Sequence, residues 1–300
     1  MISFRFHLVS LVAVFLALGL GVLTGTTVLN RGIVSQLENT TDRLAVQSSQ
    51  LRAQVERLEA QLEGWNDFGG EVRDFLVAGR LAGTEAVLVT QEGTDPEAVG
   101  AARAALELAG STVRLDLTVD LRMALEEQGD RDTLARLIGS EATDDPPALR
   151  GRAAELVADQ LAFGSTSGNT IDLMADEGFL SADSLDAEPG SRDAEQLILV
   201  VGGGNGETPL PPEAFLVPLV ERLVLDGQSV AAAESTTVEV FFVPVLRGGP
   251  VSDRIVTQDN VEQVPGGISL VLAIEDLIEL GEPGHFGVKS GARRLVPPLE

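Results

Sequence analysis

The chain has no cysteine and no tyrosine, only two histidines (His7 and His285), and a single lysine, Lys289, among its 21 basic residues. Without cysteine there are no disulfides, thiolate metal sites, iron–sulfur clusters or cysteine nucleophiles, and cysteine usage is silent about the redox compartment. With one histidine beside an apolar run and the other near the C-terminus, a His-based triad or a multi-histidine zinc site cannot be assembled within the rest of the chain. Basic charge is scarce as well: 46 acidic residues give a net charge of -25, which repels phosphate backbones and argues against nucleic acid as a partner. What remains is 300 residues with 44% hydrophobic content, enough for a membrane anchor and one domain with a sizeable core.

Leu8 to Leu29 carries no charged residue, and a helix of that length spans about 33 Å, one crossing of a hydrocarbon layer. No small-residue cleavage site of the signal-peptide kind precedes Arg31, so the segment is expected to stay as a signal anchor. Arg5 and the free amine precede it and acidic residues dominate after it. The positive-inside tendency then puts the N-terminus in the cytoplasm and the soluble part on the extracytoplasmic, envelope side. Ala13, Ala17, Gly21 and Gly25 recur every four residues, a small-residue stripe that allows two helices to approach closely.

Beyond the anchor, Leu37, Leu44, Leu51, Leu58 and Trp65 are spaced by seven, and Val34, Thr41, Ser48, Val55 and Leu62 take the companion core position. This is a five-heptad coiled-coil seam. It predicts a homodimer or pairing with a similar helix, and its length, about 48 Å, makes it a spacer. Gly64 and the pair Gly69-Gly70 are expected to end the helix, leaving Glu71 to Leu81 as a short connecting helix. The division is thus 1–30 transmembrane anchor, 31–68 coiled coil and 69–300 globular domain.

The domain alternates strand and helix. Strands are expected at Ala86–Thr90, Val113–Val119, Leu197–Val201, Val238–Val243 and Arg254–Thr257, separated by helices that include Pro96–Ala109, Ala148–Phe163, Glu213–Leu225 and Ile268–Leu280. Continuous apolar strands between amphipathic helices predict an α/β fold with a doubly wound, mostly parallel sheet of about five strands. Val113–Val119 alternates apolar and polar residues, as a strand near an edge does.

Motifs that carry chemistry are few. VVGGGNG (Val200–Gly206) follows a strand as phosphate loops do, but Glu207 stands where a dinucleotide fingerprint needs glycine or alanine, and no Lys-Ser/Thr pair completes a P-loop. A tight strand-to-helix turn is the better account. Asp259 and Asn260 leave a strand end, the place where open α/β sheets bind ligands; with His285 they form the candidate ligand or partner site, set against an ordinary capped turn.

The opening MISFRFHLVSLVAVFLALGLGVLTG, the coiled coil behind it, the run RIVTQDNVEQVPGGISLVLAIEDL and the later GHFGVKSGA together resemble the actinobacterial MctB-like family. These are copper transport outer membrane proteins, and the family includes SteB-type envelope proteins. The resemblance implies a place in the cell envelope, with copper homeostasis and a pore on the MctB side, or a scaffold for a second envelope membrane protein on the SteB side. Copper(I) prefers cysteine and methionine, and this chain offers only Met123 and Met174 beyond the initiator. A single-chain barrel needs at least eight alternating strands. The expectation is therefore a non-enzymatic, membrane-anchored scaffold with no catalytic residue, cofactor or resident metal, the alternative being a copper transport or homeostasis protein acting as an oligomeric channel or in metal delivery. An envelope enzyme using Asp259 and Asn260 ranks third.

Overall fold

The computed structural model describes residues 4–141, 145–164, 169–184, 195–206 and 208–298, with side chains of 4, 5, 26–39 and 184 left aside. Glu207 and the side chains of Val34 and Leu37 thus lie outside the described residues. The chain divides into two compact units, Met1–Trp65 and Asn66–Glu300.

The first unit is helical and belongs to α1 (Phe4–Val77). Its segment Phe6–Gly25 has a mean hydropathy of 2.4 and buries nothing against the rest of the chain, the condition of a helix whose apolar surface is meant for lipid. Ala13, Ala17, Gly21 and Gly25 are all exposed along it. Farther on, Leu44, Leu51, Val55, Leu58, Leu62 and Trp65 are each more than half exposed.

In the second unit the helix does not stop at Gly69-Gly70 as the sequence suggested; it runs on to Val77. The glycine is there for contact: a Cβ on Gly69 would come within 3.0 Å of Val264 Cγ1, so its absence lets the final helix of the domain press close. Glycine in a helix costs only about 1 kcal/mol, which such packing can offset.

The sheet has seven strands in the order β3-β2-β1-β4-β5-β6-β7: β1 (Thr84–Gln91), β2 (Thr112–Val119), β3 (Leu180–Ser184), β4 (Glu195–Val201), β5 (Ser229–Ala233), β6 (Val256–Gln258) and β7 (Gly284–Phe286). All neighbours are parallel except β2 with β3, which pair antiparallel at one edge. The doubly wound class holds, with seven strands in place of five. In β4, Leu197, Leu199 and Val201 face one layer while Ile198 and Val200 face the other, and all five are fully buried. One layer comes from α4 (Pro146–Phe163) and α6 (Leu216–Leu225), with α3 (Gln128–Leu137) and α5 (Thr170–Asp176) beside them; the other comes from α2 (Pro96–Leu108) and α8 (Val264–Leu280). Asp95 caps α2 by accepting the Glu97 N–H at 3.0 Å, with Pro96 opening the helix.

Val238–Val243, expected as a strand, is instead a loop that leads into α7 (Val243–Arg247). The Phe242 and Val243 amides donate to Glu234 Oε2 at 2.8 and 3.0 Å, so a buried carboxylate takes the hydrogen bonds that a neighbouring strand would have taken. The true neighbour of β4 is β5, Ser-Val-Ala-Ala-Ala, whose small side chains leave room for helices on both faces.

Candidate functional site

Two regions lie beyond the carboxyl ends of the parallel strands, where open α/β sheets place ligands. The first is the switch point between β1 and β4, from which the chain winds in opposite directions. A cleft of about 140 Å³ opens there, lined by Gln91, Thr94, Asn205, Thr208 and the Gly203–Gly206 loop, with Glu92 as its one described charged side chain. The glycines are used for packing. A Cβ on Gly202 would meet the Phe242 ring at 2.6 Å, one on Gly204 would collide with the Gly93 carbonyl, and Gly203 has φ +82°. Three of the loop amides are committed: Gly202 N–H donates to the Ala233 carbonyl at 3.0 Å, Gly204 N–H to the Val240 carbonyl at 3.3 Å and Gly206 N–H to Glu239 Oε2 at 3.2 Å. A phosphate would meet the Glu92 carboxylate and, among the described lining residues, no basic side chain.

The second region holds the three residues singled out from sequence. Asp259 follows β6 and is fully buried, with the side chain of Arg247 from the end of α7 against it at 2.5 Å and only 2% exposed. Asp259 Oδ1 accepts the Val288 N–H at 2.6 Å, and Oδ2 also accepts the Lys289 N–H at 3.0 Å. Arg247 spends its other donors on Thr257 Oγ1 (2.9 Å), the Phe286 carbonyl (2.6 Å) and the Ser290 carbonyl (3.2 Å). A second, partly buried pair lies beside it: Lys289 Nζ reaches Glu234 Oε1 at 2.9 Å and the Ser235 carbonyl at 2.6 Å, and sits 5.2 Å from the Phe241 ring centre.

His285, in β7, joins the same cluster through Nδ1, 2.9 Å from Thr257 Oγ1. Burial pushes its pKa below the ordinary 6.5, the Arg247 and Arg293 charges push the same way, and a hydrogen bond to the Ser252 backbone opposes them. The ring is thus neutral at pH 7 and engaged by Thr257 and Ser252. Asn260 is brought near but belongs to a different pairing: its Oδ1 accepts from Gln258 Nε2, and its carbonyl lies where any Cβ on Gly266 would stand. That contact accounts for the Pro265-Gly266 step at the start of α8.

The arrangement is a clasp. Two charge pairs and a histidine tie the segment 284–290 to the ends of β5 and β6, with each oxygen of Asp259 and of Glu234 already accepting at least one hydrogen bond. The sequence pointed to Asp259 and His285 but missed Arg247, Glu234 and Lys289. One signal was available, since Lys289 is the single lysine of the chain and stands inside the GHFGVKSGA run.

A pH effect follows from His285. Its folded pKa is depressed, so its contribution to stability is present above the unfolded value of about 6.5 and is lost as pH falls below it toward the folded pKa. Calorimetric melting between pH 7.5 and 5.5 should show a steeper loss for the natural chain than for His285→Asn. Equal slopes would mean that the imidazole does not carry the effect.

The donor set also bears on copper. Among the described residues no group of three or more His, Asp or Glu is placed to hold a metal ion. Met123 and Met174 are fully buried within one apolar layer, and His285 is hydrogen-bonded as above. The globular unit's soft and borderline donors therefore do not fit a copper site.

The sequence pattern described as "Copper transport outer membrane protein, MctB" matches residues 1–297. The Copper transporter MctB of Mycobacterium tuberculosis (strain ATCC 25618 / H37Rv) is 26% identical over 316 residues, covering 97% of this chain and 98% of that protein. The Copper transporter MctB of Mycobacterium leprae (strain TN) is 26% identical over 325 residues, covering 99% and 100%. On a match that runs from the apolar helix through the clasp, the chain belongs to the MctB family.

Proposed function

We propose that this protein serves copper transport or homeostasis in the cell envelope, from a single-pass anchor with its globular unit on the extracytoplasmic side, and without ligating copper in that unit. The observation that carries this reading is the match over residues 1–297 to a family described by copper transport, supported by full-length similarity to relatives named for it. Met123 and Met174 are buried and His285 is hydrogen-bonded, which supports a part in assembly and positioning over direct ligation within this reading. The strand-end carboxylates Asp259 and Glu234 are taken up by the clasp, which supports a non-enzymatic reading.

Deleting the gene in its host should change cell-associated copper and growth under copper stress, with restoration by the natural chain. Unaltered copper content and growth would remove the copper reading. Calorimetric titration of the full chain in detergent with copper(I) should show no saturable site; stoichiometric binding would overturn the assembly role.

A second reading, a scaffold that presents the acidic domain to another envelope membrane protein, is favoured by the exposed heptad face of Leu44, Leu51 and Leu58. Its test is co-purification of a stoichiometric second protein from native membranes.

A further inference from the structure

The heptad face of α1 is apolar, exposed and already patterned for one occupant. Leu44, Leu51, Val55, Leu58 and Leu62 are between 51% and 62% exposed, an arrangement that water penalises by roughly 1.5–3 kcal/mol for each large side chain left uncovered. We propose that this face docks a second copy of the same chain as a two-stranded, parallel, in-register coiled coil over residues 41–65. The inference stands independently of the copper reading, since it rests only on the helix.

Four features select this occupant. Leucine fills the d positions 44, 51 and 58, and the a positions are Thr41, Ser48, Val55 and Leu62; Val55 with leucine at d is the pairing that favours two strands, and polar Thr41 and Ser48 fix register at a cost in stability. In a parallel in-register pair each g residue meets the e residue of the next heptad on the other helix. Those pairs are Thr40 with Ala45, Gln47 with Arg52 and Gln54 with Glu59. Each contains a neutral member, so no like charges meet even in a chain of net charge -25. The acidic Asp42, Glu56 and Glu63 fall at b, outside the seam. Finally, the lipid-length segment Phe6–Gly25 lies at one end of this helix. Two copies anchored in one membrane must run the same way, which excludes the antiparallel alternative. The exposed Ala13, Ala17, Gly21 and Gly25 permit close approach within the membrane. Two anchors are too few to enclose an aqueous pathway, so this assembly is not itself a pore.

The absence of cysteine makes the test direct, because a single introduced thiol is the only one in the chain. Leu44→Cys and Leu58→Cys, at core positions, and Ala53→Cys and Ala60→Cys, on the outer face, are made separately in the full chain and oxidised with diamide in native membranes. The core variants should form a disulfide-linked product of two copies, about 63 kDa from 31.5 kDa each, at least fivefold more than the outer variants. Equal yields at core and outer positions, no product at the core, or a product containing another protein would each overturn the proposal. An antiparallel pair centred on Leu51 would link only mixtures of the two core variants, and that result would overturn it too. Light scattering of the full chain in detergent should give two copies, falling to one for Leu51→Asp with Leu58→Asp. A natural chain of one copy, or an undiminished mass in the double variant, would count against the seam.

Discussion

Arg247→Ala should destabilise the globular unit by about 3–5 kcal/mol, the cost of breaking a buried charge pair and leaving one member unpaired. The arginine side chain is 2% exposed and Asp259 is completely enclosed, so water cannot take the missing partner's place. The truncation also removes the guanidinium donors to the Phe286 and Ser290 carbonyls and to Thr257 Oγ1. Removing both charges in Arg247→Met with Asp259→Leu should cost less than Arg247→Ala, because a pair exchanged for apolar volume no longer buries an unpaired ion. Scanning calorimetry reads the difference, and hydrogen exchange across residues 284–292 locates it. Tryptophan fluorescence would not, since Trp65 is the only tryptophan and lies in the helical unit. A loss below about 1 kcal/mol, the range of an exposed ion pair, would show that the clasp is not closed in solution.

The second large effect is expected at Gly287. Its φ is +124°, a region that side-chain-bearing residues rarely adopt, and a Cβ there would collide with the Asp259 carboxylate. Gly287→Ala therefore adds about 1–3 kcal/mol of backbone strain and about 1–3 kcal/mol of crowding. Because the collision is with Asp259, the damage should propagate to Arg247, and exchange should accelerate at the Val288 and Lys289 amides that Asp259 holds. Protection of those amides equal to that of the natural chain would show that the loop can bend away without disturbing the pair.

Gly287, and the Asp259 that Arg247 pairs with, lie inside the segments on which the family resemblance rests, and the two predictions give those segments a physical meaning. Thr257, Asp259, His285 and Gly287 are parts of one buried clasp, while Asn260 with Pro265-Gly266 sets the close start of α8. An Asp-Asn pair leaving a strand end reads in sequence as ligand-binding chemistry. Its partners decide otherwise: Arg247 lies 12 residues away and the Glu234–Lys289 pair spans 55.

Elements whose cause is local were legible. The buried runs of β1 and β4 carry large apolar side chains on both faces, and α2 begins where Asp95-Pro96 supplies a cap and a fixed φ. Elements defined by their neighbours were not. β5 is mostly alanine and is a strand only because β4 and β6 pair with it on both sides. Val238–Val243 has the composition of a strand but finds a buried carboxylate before it finds a sheet edge. Gly69 looked like a helix stop because its reason, Val264, lies almost two hundred residues along the chain.

By itself the sequence determined the uncharged apolar span, the heptad register of Leu44 to Trp65 and the α/β class, because hydrophobic periodicity and length are near-neighbour properties written in consecutive residues. Only the tertiary structure decided what Asp259 and His285 are for. A carboxylate or an imidazole is chemistry or architecture according to which donors reach it and whether water does, and here Arg247, the Val288 and Lys289 amides and Thr257 arrive from distant segments and close the site.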